Sequence, residues 1–260
     1  HAVWESIWYY VNYSQTRNYY TMVSDKLYII MPVKDSLEMA ENAIHAILNS
    51  GHTLCVYDDN SLPENAQRLD NIATETNIQV VHISDLTDHP SPNYRLVLQL
   101  AQQEALATNR HLVIVESDVF VRIDTLDKMQ EQVQEGVGMV AAVTTDEGGK
   151  YNFPYHYLRR LRYRCLAKKT IQTKKRFSFC CTLLTNELLR KADFQQLDPT
   201  KNWYDVTISH WSVALGLRNL LMLDNPVLHF PHASRPWKRL KYTNPLLYYW
   251  RKFTQHKDRI

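Results

Sequence analysis

Thr53-Leu54-Cys55-Val56-Tyr57 is a short apolar run that ends on Asp58-Asp59-Asn60-Ser61, and His111-Leu112-Val113-Ile114-Val115 ends likewise on Glu116-Ser117-Asp118. Apolar runs this short read as buried strands. Carboxylates at their C-terminal ends stand where open α/β sheets bind ligands. Two such clusters predict a site that holds a divalent metal and a phosphorylated molecule.

The flanking sequence keeps the same rhythm. Leu27–Val33 is a first strand, after which Asp35 and Glu38 form a capping-box pattern. Leu37, Ala40, Ile44, Ile47 and Leu48 follow at helical spacing, and Gly51 stands where a helix C-cap belongs. Helices are predicted over Pro63–Thr76, from Pro92 to about Asn109, over Thr125–Glu135 and from about Val206 to Leu215. Further strands are predicted over Ile78–Ile83, Val137–Thr144 and Phe177–Leu184, with short strands or extended segments at Leu220–Leu223 and Val227–Phe230. Strands alternating with helices mean βαβ units and a mostly parallel sheet flanked by helices, an α/β fold. Residues 147–176 break the pattern and read as a basic loop or two short helices. Residues 1–24 are aromatic and polar, with no role assigned. No repeat or low-complexity linker divides the chain. One domain is expected over residues 1–260, with halves at 26–145 and 146–234 and a tail at 235–260.

The composition suits a soluble globular protein, although six Gly is few and sixteen Tyr is many. No apolar run approaches the roughly 18 residues of a membrane-spanning helix. No signal-peptide pattern is present. Cys55, Cys165, Cys180 and Cys181 form no CxxC pair and read as buried free thiols, which predicts a reducing, cytoplasmic compartment.

Net charge is +3, but it is unevenly spread. Residues 158–176 carry nine Lys/Arg and no acid, and residues 232–260 carry eight Lys/Arg and one acid. The remainder has thirteen basic and twenty-six acidic residues. A basic surface on an acidic body predicts an anionic partner, against the plainer reading of a solvated charged face. Nucleic acid would explain the charge but not the placement of the acids.

Each motif has a bland alternative. Asp58 and Asp59 can accept hydrogen bonds from a base or a ribose, or simply form a turn. Glu116 and Asp118, two apart in an extended segment, point to one side and can face one metal-diphosphate; otherwise they cap a loop. Asp205, after Trp203-Tyr204, is either an N-cap or a general base. His229 and His232 flank Phe230-Pro231, and one of them is a candidate metal ligand. The chain contains no GxxxxGK[ST] loop, no GxGxxG fingerprint and no GxSxG elbow, which argues against P-loop, Rossmann and α/β-hydrolase chemistry.

Taken in order over roughly residues 26–234, these pieces resemble the family 2 glycosyltransferases, which have the GT-A fold. Ile29-Ile30-Met31-Pro32-Val33 resembles the opening strand that cradles the nucleoside. Val56-Tyr57-Asp58-Asp59-Asn60-Ser61 resembles the V-D-D-G-S segment, and Glu116-Ser117-Asp118 stands at the D-x-D metal motif. Asp205 through Gly216 is similar to the stretch that opens on E-D, and Val227-Leu228-His229 to the V-x-H beyond it. The departures are Glu116 for the first Asp of D-x-D, Tyr204 for the Glu of E-D, Asn60 for Gly, and Thr207 and Trp211 where a later Asp and Arg would stand.

The resemblance implies an inverting transfer of a sugar from a nucleotide-diphosphate donor, UDP-linked for preference, to an acceptor hydroxyl. It places Pro32, Val33, Asp58, Asp59 and Ser117 at the nucleotide. Glu116, Asp118 and His229 are expected at Mg²⁺ or Mn²⁺, and Asp205 as the base. The basic 158–176 segment is expected over the donor phosphates or at an anionic acceptor. The acceptor is expected to be a saccharide or a lipid-linked molecule of cell-surface polysaccharide or lipopolysaccharide synthesis. The aromatic, basic tail suits peripheral attachment to the cytoplasmic face of an anionic membrane, or ordinary packing on the domain. A sugar nucleotidyltransferase would need a Gly-rich loop after strand one, and Pro32-Val33-Lys34-Asp35-Ser36 has none. A non-catalytic nucleotide- or polyanion-binding protein on the same fold is the other alternative.

Overall fold

The computed structural model describes residues 26–151, 169–201, 203–230 and 244–254. The aromatic 1–24 segment, most of the basic 158–176 stretch, Cys165, His232 and most of the tail lie outside the described residues.

Nine strands form one sheet in the order β3-β2-β1-β4-β8-β6-β9-β5, with β7 also paired to β9. Strands β1 (Leu27–Val33), β2 (Cys55–Asp58), β3 (Gln79–His82) and β4 (His111–Val115) are mutually parallel. Beyond β4 the sheet is mixed. β8 (Cys181–Leu184) lies antiparallel between β4 and β6 (Val137–Thr145). β9 (Arg218–His229) runs parallel to β6. Its far edge is shared by β7 (Thr170–Gln172) and β5 (Val119–Phe120), both antiparallel to it.

Side-chain alternation sorts the core into two layers. Leu27, Ile29, Met31 and Val33 point to one face, Tyr28 and Ile30 to the other. The first face is covered by α1 (Leu37–Asn49), α2 (Pro63–Thr76) and α4 (Thr125–Glu131), which supply Ile44, Leu69 and Met129. The second is covered by α3 (Tyr94–Ala107), α5 (Asn186–Lys191) and α6 (Tyr204–Ala214), which supply Val97, Leu188 and Ile208. Burial on both faces explains why β1 and β4 are continuous apolar runs. Helix α7 (Pro245–Thr254) follows near the C-terminus. No helix among the described residues is long and apolar enough to cross a membrane.

Several sequence expectations change: Thr170–Gln172 is strand β7 rather than loop or helix, and the strand expected over Phe177–Leu184 begins only at Cys181. The capping box at Asp35 does not form: Ser36 is the N-cap of α1 and makes no side-chain cap bond. Asp35 adopts φ 57° and turns its carboxylate to the Leu62 amide (2.7 Å) and the Asn65 side chain (3.1 Å), fixing the start of α2. The two short segments at 220–223 and 227–230 are one strand, β9, whose pairing with β6 is irregular between Ala142 and Thr144. Asn225 is buried there and donates to the Thr125 carbonyl at 3.1 Å. Finally, α4 ends at Glu131 rather than Glu135.

Candidate active site

Every parallel strand that feeds the site delivers its polar residues at its C-terminal end. Pro32 and Val33 close β1, and the Val33 carbonyl accepts the Asp59 amide at 2.9 Å, setting the acidic pair beside that strand end. Lys34 donates to the Asn60 carbonyl at 3.1 Å, and Ser61 accepts the Asp35 amide at 3.0 Å, so this corner is tied across the two strands.

The carboxylates of the pair have separate partners. Buried Asp58 bonds His82 Nδ1 at 2.8 Å and accepts the Ser61 amide at 3.2 Å. His82 Nε2 reaches Asp70 at 2.9 Å. Burial opposes charge on this imidazole, but the hydrogen bonds to Asp70 and Asp58 outweigh it and hold the pKa above the ordinary value. Asp59 faces the other way. Its Oδ2 accepts from Ser91 Oγ (2.7 Å) and the Asn93 amide (2.9 Å), and its Oδ1 from Asn93 Nδ2 (2.8 Å). Asp59 therefore fixes the Ser91–Asn93 approach to α3.

The second cluster lies at the end of β4. The Glu116 amide donates to the Cys180 carbonyl at 3.0 Å, and a tight turn follows, closed by the Val119 amide on the Glu116 carbonyl at 3.0 Å. The Phe230 amide bonds the Asp118 carbonyl at 3.0 Å, and Val119 pairs with His229. That pairing brings His229 Nε2 to 3.6 Å from Asp118 Oδ2, with both side chains largely buried. Glu116, Cys180 and His229 each bring one ligand atom within 4.8 Å of the other two. Ser117, between the two acids, is half-buried.

Asp205 lies in the first turn of α6, whose N-cap is Trp203, so the N-cap alternative does not describe it. Its Oδ1 accepts the Val206 amide at 2.8 Å. The helix is anchored by a polar chain. Ser209 Oγ donates to the Asp205 carbonyl (2.6 Å) and accepts the Phe177 amide (3.0 Å). Asn219 donates to the Ser209 carbonyl (3.0 Å) and accepts from Ser212 Oγ (2.6 Å).

Two residues at the start of α3 join these pieces and carried no signal in the sequence beyond opening a helix. Asn93 holds Asp59. The hydroxyl of Tyr94, next in the chain, is buried without a hydrogen-bond partner among the described residues. Burial pushes its pKa well above the ordinary range, and the charges of Glu116 and Asp205 push it further. One phenol thus senses both the proposed metal ligand and the proposed base. Buried glutamines lock α3 in place, Gln99 on the Phe194 carbonyl (3.1 Å) and Gln102 on the Leu189 carbonyl (2.8 Å).

Parallel strands that end in acids, closed by a mixed half-sheet that returns a histidine to them, form the GT-A arrangement of glycosyltransferases. The family model "Glycosyl transferase family 2" matches residues 28–196, and the chain belongs to that family. No curated protein sequence matches it. Among solved structures, S. aureus TarS 1–349 superposes with a TM-score of 0.54 at 16% identity, covering 78% of this chain and 60% of that one. GalNAc-T7 with UDP, GalNAc and Mn²⁺ gives 0.58 at 10% identity, covering 82% and 45%. A further S. aureus TarS structure gives 0.54 at 14% identity, covering 88% and 40%. Identities this low speak to the fold, and the chain spans between 40% and 60% of the length of these structures.

Proposed function

We propose that the protein is an inverting glycosyltransferase that moves a sugar from a nucleotide-diphosphate donor, UDP-linked for preference, to an acceptor hydroxyl. The observation that carries this reading is the convergence of Glu116, Asp118 and His229 at one strand end, with Tyr94 feeling the charge of both Glu116 and Asp205.

Pro32, Val33 and Asp59 form the nucleoside side, with Asp58 holding the corner and Ser117 facing the diphosphate. Two carboxylates and an imidazole suit a divalent cation of the Mg²⁺ or Mn²⁺ kind, and the GalNAc-T7 structure contains Mn²⁺ with UDP. Glu116, Asp118 and His229 would hold it; when bound, it neutralises charge on the departing diphosphate. Asp205 accepts the acceptor's proton as the oxygen attacks the anomeric carbon. A single displacement needs only this one carboxylate base. The Tyr94 hydroxyl, which has no hydrogen-bond partner among the described residues, is assigned a hydrogen bond to the bound substrate.

The acceptor in this reading is a saccharide or lipid-linked molecule of cell-surface polysaccharide synthesis, used at the cytoplasmic face of a membrane. Support comes from α7, where Leu246, Tyr249 and Trp250 are exposed while Tyr248 is buried, in a stretch of sequence rich in Lys and Arg. Flotation with anionic vesicles tests it: unchanged binding after deletion of residues 244–260 removes α7 from the reading.

A panel of UDP-, GDP- and TDP-sugars with Mn²⁺ tests the donor site by calorimetry, and no binding by any member overturns it. A non-catalytic nucleotide-binding role draws on Tyr204, which replaces the acid preceding the base and is buried. Donor binding without transfer or donor hydrolysis would favour that role.

A further inference from the structure

We infer that Cys180 is a sulfur ligand of the cation site, and that the site selects a transition-series dication over Mg²⁺. The inference rests on the reading that Glu116 and His229 hold the donor's cation.

Cys180 sits immediately before β8, the antiparallel strand beside β4, and this pairing is what brings it to the site. Its carbonyl accepts the Glu116 amide, so its side chain stands beside that of Glu116. The thiol donates to Glu116 Oε2 at 3.3 Å and lies 3.0 Å from Ser178 Oγ. A ligand atom from each of Glu116, Cys180 and His229 falls within 4.8 Å of the others, which places the three donors around one point. With zinc–sulfur bonds of about 2.3 Å and zinc–nitrogen or zinc–oxygen bonds of about 2.0–2.2 Å, two ligand atoms stand at most about 4.5 Å apart, so binding draws the three side chains slightly together. The donor set decides selectivity. Mg²⁺ demands oxygen ligands in a strict octahedron, whereas thiolate and imidazole favour later divalent metals. Cys181, the next residue, contacts Met129 Sδ at 3.7 Å, so the two adjacent thiols have different partners. Coordination forms a metal–sulfur bond and releases the thiol proton to solvent.

The test is a Co²⁺ titration of the whole chain followed by absorption and calorimetry. The expected result is a thiolate-to-cobalt charge-transfer band in the near ultraviolet that is lost in Cys180→Ser and kept in Cys181→Ser. In the same variant, Zn²⁺ affinity falls by about 10- to 100-fold or more, and Mg²⁺ affinity changes less. Co²⁺ binding with visible d–d bands but no charge-transfer band leaves the cation site standing and removes the sulfur ligand. No Co²⁺, Zn²⁺ or Mn²⁺ binding at all overturns the cation site and the inference together. The wild-type spectrum decides even if Cys180→Ser does not fold.

Discussion

Asn93 grips Asp59 twice, donating its backbone amide to Oδ2 at 2.9 Å and its side-chain amide to Oδ1 at 2.8 Å. Both residues are buried, so the carboxylate depends on this neighbour for satisfied hydrogen bonds. Asn93→Ala should cost about 1–3 kcal/mol of stability, the usual penalty for stranding a buried acceptor. Chemical denaturation measures it. If Asp59 also contacts the nucleoside, uridine nucleotide affinity falls in the same variant; unchanged affinity would confine the pair to holding α3.

Asp205→Asn should preserve the fold and donor binding while lowering transfer by about 10²- to 10⁴-fold, the usual worth of a positioned base. Tyr94→Phe should lower kcat/KM by about fivefold if its hydroxyl meets the substrate with one hydrogen bond worth roughly 1 kcal/mol. Steady-state kinetics on both variants separates the roles. Full activity in Asp205→Asn would remove the base assignment.

The Asp58–His82–Asp70 chain predicts a pH dependence. His82 has a folded-state pKa above its ordinary value of 6.5. Protonated His82 therefore stabilises the fold fully below pH 6.5, and that contribution is lost as pH rises through the elevated value. His82→Asn should flatten the melting-temperature profile as pH rises above 6.5. An unaltered slope would mean another group sets it.

Gly138 is held to its identity by space. A Cβ there would run into the Ser212 hydroxyl and stand 2.9 Å from Leu217 Cβ. Ser212 belongs to the polar chain that anchors α6, so it cannot yield without losing its bond to Asn219. Gly138→Ala should destabilise by about 1–3 kcal/mol through overpacking. A loss of transfer beyond the loss of folded protein would show that the start of α6 has shifted.

The strands that carry acids were legible because buried alternation and terminal carboxylates are local signals. Pro63–Thr76 was readable to the residue, with its N-terminal Pro and amphipathic spacing. β9 was not, because Asp224-Asn225-Pro226 reads as a turn. The sheet absorbs those residues as an irregularity in the β6–β9 ladder, where a proline is tolerated. Asp35 misled in the other direction: its spacing to Glu38 fits a capping box, but a partner 27 positions along the chain wins its carboxylate. Cys180 reads correctly as a buried thiol, yet its neighbour Glu116 is set by antiparallel pairing, which no periodicity encodes. Asn93 and Tyr94 matter for the same reason, through contacts distant in sequence.

The acidic turn is sealed by a two-residue strand at the margin of the sheet. The β5–β9 pairing, the Phe230–Asp118 bond and the approach of His229 to Asp118 hold His229 to that turn. Local opening of this edge needs no global unfolding. Amide deuterium uptake at Val119 and Phe230 should therefore report directly how often the histidine leaves the carboxylates. A ligand that bridges them should slow that exchange long before it changes the exchange of β1 or β4.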